Sequence, residues 1–270
     1  MRSALSLVAH SLTRVRGLVV GVGVLLAGFQ VLLTLVGATV HRLDAFRGLV
    51  ALIPSAARDL MGPAMLAMMS FGGIVCIGYF HPVVIAALVG MAVTVATEPA
   101  AEIETGLVDL MLSRPLARYA VITRTLVLLV LCSAFVVGLM VGGTWAGLYF
   151  FAPPGAIWPP PRPVFSLALN LGALVLCWGG VGLAIAARSN RRSVAGSLAG
   201  GLALACFLLD YVARIWKPAQ VVWWLSPFRY DNAIDLVLGR PLPPGHLAVL
   251  ISIALASTAL SYVIFSRRDL

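Results

Sequence analysis

The side chains able to do chemistry are few, and the one long interior segment that is plainly polar runs from Thr97 to Arg124. Glu98, Glu102, Glu104 and Asp109 come first, and Arg114, Arg118 and Arg124 follow. Between them Leu107, Leu110 and Met111, with Arg114 in register, recur at helical spacing and give one narrow apolar ridge. A helix with acid at its start and base at its end runs with its own dipole, and Pro115 stops it near Ser113 or Arg114. The arrangement holds no nucleophile with a base and no ligand set. A short ridge with a charged rim is suited to docking in a groove of a soluble partner. The competing reading is a helix lying on a membrane surface, but such helices are normally rich in Lys and Arg rather than acidic at their start.

The other reactive residues exclude rather than assign. Cys76, Cys132, Cys177 and Cys206 all fall inside apolar runs with no CxxC pair, so they read as small core residues. His10, His41, His81 and His246 are scattered and form no HExxH, which leaves a zinc peptidase without ligands. Lys217 is the only lysine and Pro218 follows it, so the GxxxxGK[ST] phosphate loop is absent. ATP hydrolysis by that route is not open to this chain, which is expected not to be an enzyme and to hold no cofactor or metal.

Stepping outward, these residues are positioned by a membrane body. Hydrophobic residues make up 61% of the 270 and charged residues only 11%, against roughly 25% in a soluble domain. The net charge of +9 comes in short groups between apolar runs, which points to topology signals and headgroup anchors and not to nucleic acid. Six spans are predicted, at 17–40, 74–97, 120–151, 164–187, 194–216 and 247–265, each long enough for the ~20 residues a crossing needs. The first is read as retained, because a secretory signal has a shorter apolar core. Residues 60–73 and 221–240 are predicted to lie at the outer interface, and 98–119 on the cytoplasmic side between spans 2 and 3. The 60–97 stretch is apolar throughout but interrupted by Gly72-Gly73 and His81-Pro82, so either an interfacial helix precedes one span or part of it is kinked or re-entrant. With both termini inside, eleven Arg fall on the cytoplasmic side and eight Arg or Lys outside, and the inside ones lie tight against span ends. The expected fold is therefore all-α, a single six-helix transmembrane domain over residues 1–270 with one short amphipathic cytoplasmic helix.

Polar residues within spans are default functional candidates in hydrocarbon. Gln30 with Thr34, and Ser166 with Asn170, stand four apart and are candidates for lining a path; Ser70, Thr94, Ser133 and Thr144 complete the set. The plainer reading is that all of them hydrogen-bond neighbouring helices as packing glue. Gly138, Gly142, Gly143 and Gly147 offer the small-residue spacing of close helix contact. Asp210 and Arg214 are placed to pair locally at the outer edge of span 5. No carboxylate sits mid-span, which argues against a proton- or sodium-driven carrier.

From Glu102 to Arg118 the chain reads EIETGLVDLMLSRPLAR. This resembles the cytoplasmic coupling segment of the ABC-2 family of transporter permeases, whose pattern is an acidic pair, Gly-Thr, a Leu-rich stripe and Arg-Pro-x-x-Arg. Glu102, Glu104, Gly106, Leu110, Leu112, Arg114, Pro115 and Arg118 match, while Leu107 stands where the family usually has Thr. Leu225-Ser226-Pro227-Phe228 and the terminal Phe265 to Leu270 are similar to the same family. The resemblance implies a permease subunit in the cell's inner membrane, usually an exporter, that pairs with a second identical or paralogous permease copy in the lipid bilayer. It also implies a separate cytoplasmic ABC ATPase that binds ATP and Mg and into whose cleft the segment around Gly106, Leu107, Leu110, Met111 and Leu112 docks. The alternative is a membrane-embedded scaffold or enzyme subunit whose amphipathic segment binds another cytoplasmic protein.

Overall fold

The computed structural model describes residues 2–42, 68, 70–107 and 118–268. These are helical with no strand among them. The helices are α1 (Arg2–Arg42), α2 (Phe71–Cys76), α3 (Pro82–Ala96), α4 (Glu98–Glu104), α5 (Tyr119–Phe151), α6 (Pro161–Arg188), α7 (Arg192–Ile215), α8 (Ala233–Val237) and α9 (Pro244–Ser266). Six stretches among the described residues are long and apolar enough to cross a membrane: Ser11–His41, Phe71–Ala96, Tyr119–Phe151, Pro161–Arg188, Arg192–Ile215 and Pro244–Ser266. The chain is thus a multi-pass membrane protein in form. Its two ends differ in composition: one carries Arg14, Glu98, Arg124, Arg192 and Arg268, the other the proline-rich turn at Pro153–Pro160.

The second span is broken, as the Gly-Gly and His-Pro pairs suggest. Ser70 caps α2 by accepting from the Gly73 amide, a 3-10 turn covers Ile77–Tyr79, and His81 caps α3 through Nδ1, with Pro82 at the first helical position. Both halves belong to one crossing stretch, and the interfacial helix expected at 60–73 lies largely outside the described residues.

At the centre stands α6, packed by α3, α5, α7 and α9. Successive glycines on it let three neighbours in close: Gly179 meets the Leu129 side chain of α5, Gly180 meets the Ala254 carbonyl of α9, and Gly182 meets Val93 and Ala96 of α3. In an apolar solvent there is no hydrophobic drive between helices, so close van der Waals contact must hold them, and small residues permit it. Between α1 and α5 the same is achieved by Gly143 and Gly147. A Cβ on Gly143 would lie 2.6 Å from the Ala27 carbonyl oxygen, and one on Gly147 would lie 2.7 Å from Thr34 Oγ1. Gly138 and Gly142, grouped with them on sequence spacing, face open space.

The loop between α7 and α9 is made of 3-10 turns at Lys217–Val221, Trp223–Leu225 and Pro227–Tyr230 followed by α8. It is pinned by two residues of the Leu-Ser-Pro-Phe stretch. The Ser226 hydroxyl donates to the Cys206 carbonyl at 2.8 Å, and Phe228, buried, stacks on Trp178 of α6 with centroids 5.5 Å apart.

The expectation that span hydroxyls glue helices together holds for some of them: Thr123 of α5 meets Tyr262 Oη of α9 at 2.8 Å. Thr144 meets Tyr79 Oη at 2.9 Å across two spans. Thr34, Thr94 and Thr125 instead donate to carbonyls four residues back in their own helices, which satisfies the hydroxyl without any partner helix.

Candidate functional site

Among the described residues, the helix that opens the charged segment stops at its first glycine. α4 begins after Thr97 and ends at Thr105-Gly106, where Gly106 takes φ 68. That left-handed conformation suits glycine and stops a helix. Leu107 resumes helical conformation, and Leu110, Met111, Leu112, Arg114 and Pro115 lie outside the described residues. The acidic residues are therefore separated from the apolar ridge by a turn.

They also face inward. Glu98 and Glu102, four apart and so on one side of α4, are both buried. Glu102 accepts from Arg124 of α5 at 2.7 Å. Glu98 pairs with Arg192 of α7 at 2.9 Å and with Arg14 of α1 at 3.6 Å. Glu104, exposed, accepts the backbone N–H of Arg192 at 2.9 Å and so satisfies a donor at the start of α7 that the helix itself leaves free. Arg192 donates further to the Thr94 carbonyl at 3.1 Å. Two carboxylates thus receive guanidinium groups from three spans. Such pairs add little net stability once desolvation is counted, but removing one partner strands the other, at about 3–5 kcal/mol. Their effect is geometric: α4 has one seat.

The other end of the segment is held as well. Arg118, exposed, donates to the Arg268 carbonyl at 2.6 Å. Arg268 in turn donates to the carbonyls of Ala187 at 2.8 Å and Ser189 at 3.1 Å and to the Asn190 side chain. The chain therefore leaves α4 beside α7 and returns to α5 beside the α6–α7 turn, fixed at both points.

The two polar pairs singled out as path candidates sit in different surroundings. Gln30 and Thr34 are fully buried where α1 crosses the 3-10 turn and α5. The Gln30 amide lies so close to Gly78 that a Cβ there would be 2.5 Å from Oε1, and neither of its polar atoms has a hydrogen-bond partner. Asn170, also buried, donates from Nδ2 to Asp231 of the α7–α9 loop at 2.6 Å, and Ser166 is half-buried a turn away. Asp231 was not among the candidates, because a lone acid in a loop of turns gives no periodic signal. Asp210 and Arg214 pair at 2.9 Å as their spacing predicts, and Trp223 Nε1 adds a donor to Asp210 at 2.7 Å. Among the described residues no group of His, Cys, Asp and Glu is placed to hold a metal ion.

What the basic end offers chemically is a positioned segment with buried charge behind it. No protein-family model matches the chain, and no curated protein matches it.

Proposed function

We propose that the chain is the membrane-spanning permease subunit of an ABC-type transporter, an exporter in the manner of the ABC-2 permeases its charged segment resembles. In this reading the basic end and both termini face the cytoplasm at the inner membrane, a second permease copy completes the path, and separate ATPase subunits bind ATP and Mg. The observation that carries the reading is the clamp on α4. Leu107 follows directly from a helix whose carboxylates hold α1, α5 and α7, so a push on residues 107–117 reaches three spans through Glu98, Glu102 and Glu104. The absent phosphate loop accounts for the need of a partner, and the acidic residues of α4 are already taken up by contacts within the chain.

The test is co-expression with an ATPase subunit encoded beside this chain, then affinity purification and measurement of ATP turnover. Leu107→Asp with Leu110→Asp is expected to abolish co-purification while leaving the permease folded. Full assembly and unchanged turnover by that double variant would overturn the docking role.

A further inference from the structure

At the end opposite the clamp, two spaces share a wall. One is a cavity of about 190 Å³ among α3, α7 and the α7–α9 loop, bordered by Asp210, Arg214, Asp231 and the rings of Phe80, Phe207 and Phe228. The other is an apolar groove of about 660 Å³ running between α3 and α7. Pro82, Ile85, Phe207 and Phe228 line both, so the polar cavity opens into the groove.

The charges of the small cavity do not cancel. Asp210 is fully engaged, taking Arg214 Nε at 2.9 Å and Trp223 Nε1 at 2.7 Å. Asp231 has one neutral donor, Asn170 at 2.6 Å, and no ion pair. Asn170 is itself buried, with Oδ1 unpartnered. With Asp231 ionised, two carboxylates against one guanidinium leave a single negative charge beside three phenyl rings. That combination favours a cation of low hydration, because ring faces and a carboxylate both attract an ammonium group, while an anion would meet the net negative charge. The groove provides the complement. Its walls are Val89, Val93, Leu204 and Phe207, and Gly196 and Gly200 keep it wide, with nothing within 4 Å of where their Cβ atoms would be. Its volume falls within the ~300–1,000 Å³ of ligand pockets, whereas the polar cavity alone has room only for a head group. Arg192 closes the far end of the groove, already held by Glu98 and the Thr94 carbonyl.

We propose that this composite site binds a single-chain amphiphile with an ammonium head, the head against Asp231 among the phenyl rings and the alkyl chain along the α3–α7 groove. The binding assignment stands without the transporter reading; only the further step, that the bound amphiphile is the molecule moved, rests on it. Uncharged detergent, without any ATPase, is enough for the test, so a failed docking experiment leaves this one intact.

The measurement is equilibrium binding to the purified full chain, by native mass spectrometry, of dodecyltrimethylammonium, of tetramethylammonium and of dodecyl phosphate. The long-chain cation should bind tightest and the phosphate least. Asp231→Asn should weaken both cations by about tenfold or more. Gly200→Leu, whose Cβ meets nothing within 4 Å and whose side chain enters the groove, should weaken the long-chain cation alone. Thermal unfolding of each variant reports whether it is folded. Equal retention of the phosphate and the ammonium amphiphile, or cation binding unchanged in a folded Asp231→Asn protein, would overturn the proposal. Tetramethylammonium binding as tightly as the long-chain cation would remove the groove from it and assign the cavity to a free small ammonium ion.

Discussion

Arg124 of α5 donates to Glu102 of α4 at 2.7 Å, with both side chains almost wholly withdrawn from solvent. The pair joins a short helix to the first turns of a spanning one. Glu102→Ala should lower stability by about 3–5 kcal/mol, since Arg124 is then buried without its counter-charge. Arg124→Ala should do the same, and Glu102→Ala with Arg124→Met should recover most of the loss because no charge is left stranded. Thermal unfolding in detergent of the two single variants and the double one measures this, and additive losses would show that the pair is not coupled.

Gly78 and Gln30 form a second coupled pair. Gly78→Ala places a methyl 2.5 Å from the Gln30 amide and should destabilise by about 1–3 kcal/mol. Gln30→Ala clears the space and also removes the two buried polar atoms that lack partners. The double variant is therefore expected to be at least as stable as the wild type, read by the same unfolding experiment.

Four glycines of α5 should separate into two classes. Gly143→Ala and Gly147→Ala press on the backbone of α1 or on Thr34 and should cost about 1–3 kcal/mol each. Gly138→Ala and Gly142→Ala meet nothing within 4 Å and should be neutral or slightly stabilising, as alanine is the better helix former. Equal effects at all four positions would show that α1 does not lie where it is described.

Burial pushes the Asp231 carboxyl up to about 7, against the opposing effects of the Asn170 hydrogen bond and the Arg214 charge and with a further upward push from Asp210. A carboxyl raised in the folded state holds its proton more tightly there than in the unfolded chain. Stability from this group is accordingly full below about pH 4, falls as pH rises towards 7, and is level above that. Unfolding midpoints between pH 5 and pH 8 should decline more steeply in the wild type than in Asp231→Asn. A matching slope in both proteins would contradict the shift. Ammonium binding at this site, which needs the carboxylate, should strengthen over the same interval.

The spans were legible because a crossing demands a long apolar run, and the break in the second was announced by Gly72-Gly73 and His81-Pro82. The Asp210–Arg214 pair was legible because four residues make one helical turn. What composition could not reveal is which neighbour each face meets. Glu98 and Glu102 looked like the head of an outward-facing helix, yet they point at arginines distant in the chain, and nothing local marks Arg14, Arg124 or Arg192 as their partners. Gly106 ends α4 through a backbone angle, where the charge gradient suggested continuity. The glycines at 138, 142, 143 and 147 look alike in sequence, and only the course of α1 distinguishes them. Asp231 acquires its character from Asn170, which lies in another span.

The clamp on α4 carries a consequence for the order in which the protein can be made. Arg14 and Arg124 flank α4 in the sequence, but Arg192, the nearer partner of Glu98 and the residue whose amide Glu104 receives, belongs to the fifth crossing helix. Until that helix has entered the membrane, Glu98 lacks the nearer of its two counter-charges and Glu104 lacks the amide it accepts from. The basic end therefore closes late in synthesis, and a chain truncated before Arg192 would keep α4 on Arg14 and Arg124 but lose its hold on α7.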